Sequence, residues 1–261
     1  MVAARDALSV SARLHAALLD FPRDLVKVGV EPIGVRLRGT ARLPLLPALA
    51  YLTADAFLCW WVIGWANTLP FGQAVWAHNG LALLRAGIAL AVLGRGRLRA
   101  LFAHPGRELR WSALVVCLGA VATTLVLAAV LAISRIPLGP ASLDLTAAAP
   151  AGGMALLGYA VNSLLLAPLS EELIDRGVLL LALPARTPGW VALLVSGAVF
   201  ALMHAGPYHQ GGFPLFPLLG GLMTAAVFLL RGSLIPPLVI HASGNLFLEL
   251  AELLFGGFTA L

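Results

Sequence analysis

Long apolar runs separated by short joints of glycine, proline and charge dominate the chain. Seven runs stand out, at 44–68, 74–94, 111–133, 151–181, 189–206, 214–230 and 234–255. Each is close to the ~20 apolar residues that a helix needs to cross the hydrocarbon core of a bilayer. The fourth is long and contains Pro168, which predicts a kink or tilt there. The joints carry helix-stopping residues: Gly139-Pro140, Thr187-Pro188-Gly189, Gly211-Gly212 and Pro236-Pro237. The pattern predicts an all-α, polytopic transmembrane bundle of about seven spans, without internal repeats, low-complexity tracts or a soluble domain.

The leader reads differently. Leu14, Leu18, Phe21, Leu25 and Val28 are spaced 4, 3, 4, 3, one face of a helix interrupted or kinked at Pro22. This predicts an amphipathic helix on the cytoplasmic membrane surface; a partner-binding helix is the alternative. The first long apolar run begins near Leu43, too far along for the short leader of a signal peptide. The chain thus divides into an interfacial segment 1–43, helices of the first half at 44–149, and a second half, 150–261, that holds most of the intramembrane charge.

Composition agrees. Of 261 residues, 60% are hydrophobic and 11% charged, against about 25% charged in soluble domains. Mean hydropathy is +0.94. These values exclude a disordered chain, a coiled coil and an ordinary soluble enzyme. Cys59 and Cys117 both sit in apolar runs, with neither a disulfide framework nor a CxxC pair. The formal net charge is +5, but the basic residues fall in blocks. Arg5, Arg13, Arg23, Lys27, Arg36, Arg38 and Arg42 precede the first run, and Arg95, Arg97, Arg99, Arg107 and Arg110 follow the second. The 134–150 connection holds Arg135 alone. This asymmetry places the N-terminus and the 95–110 loop in the cytoplasm and 134–150 outside. It argues for a bilayer rather than a nucleic acid as the partner of the positive charge.

Two charges fall within the first two spans. Asp55 and Arg85 each lie 15 residues from Pro70, on opposite arms of a helical hairpin, and should meet at one depth. Isolated charges cost roughly 2.5–3.5 kcal/mol at the membrane centre, so opposite charges at one depth should pair. A hairpin clasp is the preferred reading; a substrate or proton path is the other. Trp60, Trp61, Trp65 and Trp76 surround the turn and read as interfacial anchors.

The second half carries the chemistry. Leu169-Ser170-Glu171-Glu172-Leu173-Ile174-Asp175-Arg176-Gly177 sets four ionisable side chains in an apolar segment. Glu171 and Glu172 point about 100° apart on a helix, which predicts separate roles. Glu172 and Arg176 are i, i+4 with the acid first, the favourable order for an ion pair. Glu171 is then the acid left over, able to face a cavity and act as a general base. Asp175 shares the face of Glu171. The two acids can flank a cation, or Asp175 can share Arg176 or reach the cytoplasmic headgroups. His204 ends the fifth run, and His241 and Asn245 share a face of the seventh. A carboxylate, two imidazoles and a carboxamide on three helices supply what water-driven acyl hydrolysis needs, a base and oxyanion donors. Glu249 continues the His241 face and Glu252 approaches it, a polar stripe that can admit water or solubilise a helix end. His15 and His104 read as solvated, His78 lies near an outer helix end, and His209 is a weak candidate. Neither HExxH nor GxSxG is present.

At these residues the chain resembles the CPBP family, the CAAX prenyl endopeptidase-like and bacteriocin-processing or self-immunity membrane proteins, also called Abi. The family's EExxxR, FxxxH and HxxxN appear in order as Glu171-Glu172-Leu-Ile-Asp-Arg176, Phe200-Ala-Leu-Met-His204 and His241-Ala-Ser-Gly-Asn245. Ala167-Pro168-Leu169-Ser170 before the first motif and Arg231-Gly232-Ser233-Leu234-Ile235-Pro236-Pro237 before the third match too. The resemblance covers about residues 150–255. It implies a helical intramembrane endopeptidase of membrane-associated protein or peptide substrates. Glu171 would activate water. His204, with His241 and Asn245, would bind the oxyanion or, on a metalloprotease reading, a metal. Glu172 and Arg176 would shape the site. The family usually has an aromatic residue before the motif arginine, where this chain has Asp175.

Two His and a Glu (His204, His241 and Glu171) can hold Zn²⁺ with water in the fourth position. A metal-free glutamate mechanism fits the same residues and is the expectation, since the spacing does not force tetrahedral ligation. The competing class is a non-enzymatic scaffold, immunity protein or transporter subunit that keeps the cluster for packing. A transporter should show inverted repeats, and the chain has none. The Ala/Gly/Arg-rich, bacterial-looking composition favours the C-terminus of a peptide or membrane protein over a prenylated CAAX protein as substrate, and a bacterial cytoplasmic membrane as location.

Overall fold

The computed structural model describes residues 24, 26–37, 39–134, 153–205 and 214–255, with side chains described outside 121–134 and 251–255. Among these residues seven long helices coincide with the seven apolar runs. They are α1 Leu45–Ala66, α2 Phe71–Leu101, α3 Pro105–Ser134, α4 Gly153–Ala182, α5 Gly189–His204, α6 Leu215–Arg231 and α7 Ile235–Phe255. No strand is formed among the described residues. α1, α2 and α4 are long and apolar enough to cross a membrane, and α5 and α6 are shorter apolar helices. Proline marks the N-caps of α1, α2, α5 and α6, at Pro44, Pro70, Pro188 and Pro214. Its missing N–H costs nothing there, because the first N–H groups of a helix have no intrahelical partner.

The hairpin of α1 and α2 turns at Asn67–Pro70 and brings Asp55 and Arg85 together as predicted. Arg85 Nε and Nη2 each donate to an Asp55 oxygen at 2.9 Å, and both side chains are buried. Trp60, Trp61, Trp65 and Trp76 are exposed, in keeping with interfacial anchoring.

The basic 95–110 segment is not the loop expected from its charge. α2 runs through it to Leu101, breaking only at Gly94, whose φ of 70° suits glycine. A turn at Phe102–His104 then leads into Pro105, the first residue of α3. Arginine is a good helix former, and Arg97 is held by the carbonyls of Ala41 and Arg42 at 2.8 and 2.9 Å.

Of the leader's apolar face only Val28 is described. Leu14, Leu18, Phe21 and Leu25 lie outside the described residues, as do His15 and His209. Val28 and Ile33, however, are fully buried against the turn between α4 and α5. Ile33 and Gly34 donate to the carbonyls of Thr187 and Ala185, and Gly189 donates to that of Glu31. A Cβ on Gly189 would lie 1.6 Å from the Val28 oxygen, so only glycine permits this approach. The apolar face at Val28 is covered by the protein itself, not by lipid.

α7 lies against α3, α6 and the first half of α4, while α5 packs on α6 and α2 along the length of α4. Glu108 ties this assembly together beyond the apolar parts of α3 and α6. Its buried carboxylate accepts from Arg231 Nε and Nη2 at 2.8 and 2.9 Å and from Arg107 at 2.8 Å. Burial alone would raise its pKa, but the bonds from Arg231 and Arg107 outweigh it and hold the group below its ordinary 4.5. A group held low stabilises the fold above its unfolded pKa, and that contribution is lost as pH falls through the folded value. Thermal unfolding of the purified protein should therefore show an acid loss of stability below the ordinary value of 4.5. Glu108→Gln should flatten that loss; an unchanged acid slope in the variant contradicts the clasp.

Candidate active site

α4 is where the sequence departs from a regular helix. It runs as α over Gly153–Val161, π over Asn162–Leu166, α over Ala167–Glu172, π over Leu173–Leu179 and α again over Leu180–Ala182. Pro168 follows the first π-turn, so the predicted irregularity takes the form of two π segments flanking Glu171 and Glu172. Such segments tend to occur at functional sites.

The Glu172–Arg176 pair forms as predicted, with Nε and Oε2 3.2 Å apart and both side chains sealed from solvent. Arg176 also lies 3.5 Å from Asp175. It donates to Gly221 O at 3.0 Å and to the Thr224 hydroxyl, and stacks 5.0 Å from the centre of the Phe200 ring. Gly221 permits this. A Cβ there would come within 2.9 Å of Phe200 Cβ and 3.1 Å of Gly197 Cα, so α5 and α6 approach closely at glycines, as helices in membranes often do. Asp175 shares Arg176, one of its predicted alternatives. Its side chain is 7% exposed, so it does not reach the headgroups.

Glu171 stands apart from this cluster. With Cys59, Arg85, Asp175, Phe200, Met203 and His204 it lines a narrow cleft of about 10 Å³, room for about one water. Its carboxylate lies 3.6 Å from His241 Nε2, while His241 Nδ1 lies 2.8 Å from Glu172. The two glutamates point apart as predicted, yet they meet one imidazole, on opposite nitrogens. Separate faces therefore did not mean separate partners. An ionised Glu172 can only accept, so Nδ1 of His241 carries a proton. His204 Nδ1 lies 2.8 Å from Phe200 O, which also accepts only, so Nδ1 is again the protonated nitrogen. For either histidine to donate from Nε2, the ring must be an imidazolium. His241, between two carboxylates, is the better placed to be one.

Asn245 takes a different place. Like His241 it is not among the residues lining the cleft, and its Nδ2 donates to Ser163 O at 2.8 Å. Glu249, one turn further along α7, accepts from Tyr159 at 2.5 Å and Ser163 at 3.3 Å. The polar stripe His241, Asn245, Glu249 therefore faces α4. Glu252 has no described side chain.

The zinc reading asks Glu171, His204 and His241 to converge on one point. Among the described residues no group of three or more His, Cys, Asp or Glu side chains is gathered so as to hold a metal ion. Glu172 and the Phe200 carbonyl each engage Nδ1, which leaves Nε2 of both rings open, the outer-shell pattern that metal-ligating histidines commonly show.

Sequence reasoning did not place Cys59, Phe200 or Met203 in the site, and left Arg85 to a clasp. Two had a signal: Cys59 is i+4 from Asp55, and Phe200 is i−4 from His204, so each shares a helix face with a flagged residue. Phe200 is the hub, its ring centre 4.5 Å from that of His204 and 5.5 Å from that of His241.

Fold and site together define a helical membrane protein with a buried acid–imidazole cleft walled by both halves of the chain. Residues 153–247 match the family model of type II CAAX prenyl endopeptidase Rce1-like proteins. The match spans all three motifs and bears out the resemblance read from them. It supports an integral membrane protein of the CAAX-protease kind. No curated protein and no solved structure matches the chain.

Proposed function

We propose that this chain is a multi-pass intramembrane endopeptidase, its N-terminus cytoplasmic, that hydrolyses a peptide bond near the C-terminus or membrane-proximal part of a protein or peptide. The carrying observation is the segregation of two adjacent glutamates. Glu172 is sealed in by Arg176 and His241, while Glu171 faces the cleft 3.6 Å from His241 Nε2. A water in the cleft gives its proton to Glu171 as its oxygen attacks the scissile carbonyl carbon, and the C=O electron pair moves onto oxygen. His204 and His241 donate to that oxyanion. Collapse restores the carbonyl, breaks the C–N bond and sends the proton from Glu171 to the leaving amine. Glu172 and Arg176 hold the helix in register, and Asn245 bonds the α4 backbone at Ser163 O. No step runs through a metal.

The test is hydrolysis of peptides with free C-termini by purified protein in lipid vesicles. His204→Ala should lower the rate about 10²–10³-fold, the cost of one lost oxyanion donor, with substrate binding retained. A strong chelator should change nothing. One equivalent of tightly held zinc, with activity following its occupancy, overturns the metal-free route. Absence of any peptide cleavage overturns the hydrolase reading.

A further inference from the structure

We propose that Arg42 and Arg97 form a binding site for the phosphate of an anionic lipid headgroup, at the end of the bundle remote from the tryptophan-bearing turn. The inference is independent of the hydrolase reading and of the motif residues.

Depth comes first. Exposed Trp76 marks one interface of the bilayer. Gly94 lies 18 residues further along α2, about 27 Å at ~1.5 Å per residue, close to the ~30 Å thickness of the hydrocarbon core. The helix breaks at Gly94, and Arg97 follows three residues later. Arg97 therefore stands at headgroup level.

Two guanidinium groups meet there, where the segment ahead of α1 crosses the ends of α2 and α4. Arg97 donates to Ala41 O and Arg42 O in that segment and to Leu93 O of its own helix. Arg42 Nη1 donates to Leu180 O near the end of α4 at 3.1 Å, and the Leu43 N–H to Leu181 O. Every one of these acceptors is a backbone carbonyl. Arg36, Arg85, Arg176 and Arg231 each face a carboxylate. Arg42 and Arg97 have none among the described residues. Arg42 also holds Nε and Nη2 away from water with no acceptor at all. Burial without an acid to oppose it keeps its pKa below the ordinary 12.5. Leaving a charged donor unpaired is costly. The side chain is only partly buried, so a turn of its outer torsions brings those two nitrogens to an acceptor from outside.

A lipid phosphate fits that need. Paired guanidinium N–H groups match phosphate oxygens, and basic pockets between membrane helices take anionic headgroups. α1 begins three residues past Arg42, and Leu45, Leu46 and Leu49 are exposed. A lipid seated on Arg42 thus has apolar surface for its chains on the membrane side, from which a soluble phosphate gains nothing.

The full chain in non-ionic detergent is titrated with phosphatidylglycerol, with phosphatidylcholine of the same acyl chains, and with inorganic phosphate, while its melting temperature is followed. Phosphatidylglycerol should raise that temperature saturably, and the other two should not at equal concentration. Arg42→Gln should shift the midpoint about fivefold weaker, the worth of one arginine at an anionic surface. Arg42→Lys, which keeps the charge, should shift it less. Arg99 is exposed at the same end of α2 but, two residues from Arg97, points roughly to the opposite side of the helix. Arg99→Gln should therefore leave the midpoint where it is. Equal weakening by Arg99→Gln would reduce the site to diffuse charge and overturn it. An equal response to phosphatidylcholine overturns it too, and an equal response to inorganic phosphate overturns the lipid as ligand. Should Arg42→Gln give no folded protein, phosphatidylglycerol with a photoreactive group near its headgroup is photolysed with the unsubstituted chain in vesicles. It should label residues 41–49, and excess unlabelled phosphatidylglycerol should remove the label; labelling that misses this segment sinks the assignment.

Discussion

Glu171→Gln is expected to lower peptide hydrolysis by about 10²–10⁴-fold, the usual worth of a positioned base, while folded yield stays at the unsubstituted level. The two halves of that expectation have separate causes. Glutamine keeps the shape of the side chain but cannot take a proton from water. Folding loses little, because the nearest partner of Glu171 is His241 Nε2 at 3.6 Å, beyond a direct hydrogen bond. Glu172→Gln offers the contrast. That side chain is sealed between Arg176 and His241, so its neutralisation leaves Arg176 short of a counter-charge and should show as reduced yield. Rates in vesicles, set against recovery of monodisperse protein in detergent, separate the two. Normal turnover by Glu171→Gln would remove the base from the mechanism.

The pairings that one helix or one hairpin dictates were legible in the sequence, and those that three helices dictate were not. Glu172 with Arg176 follows from an i, i+4 spacing, and Asp55 with Arg85 follows from equal distances to one turn. The convergence of His241 on both glutamates required knowing how α7 crosses α4. That crossing depends on the π-turns about Pro168, which the sequence signalled only as a kink. The same gap explains Asn245. Its motif spacing placed it beside His241, but its bond to the Ser163 carbonyl depends on how α7 lies against α4. At Val28 the sequence left the partner open for another reason. Its spacing showed that Val28 has an apolar face to bury, and periodicity cannot tell a lipid surface from the 185–189 turn.

Arg176→Ala should fail at folding rather than at chemistry. A buried arginine whose partner acids stay behind costs about 3–5 kcal/mol when broken. The sequence alone puts that cost on Glu172, and the structure spreads it. Glu172 keeps the bond from His241 Nδ1, whereas Asp175 loses its nearest cation at 3.5 Å. Gly221 O and Thr224 lose a donor, and the Phe200 ring loses the guanidinium stacked against it. The loss therefore reaches α6 and α5 as well as α4. Arg176→Lys separates charge from shape. It restores a cation, but an ammonium lacks the planar fork that serves a carboxylate, a carbonyl and an aromatic face together. Its yield should fall between alanine and arginine. Folded yield and apparent melting temperature in detergent are the measurements. An Arg176→Ala protein recovered at normal yield, melting as the unsubstituted chain does, would show that the guanidinium is not what holds α4, α5 and α6 in register around Glu171.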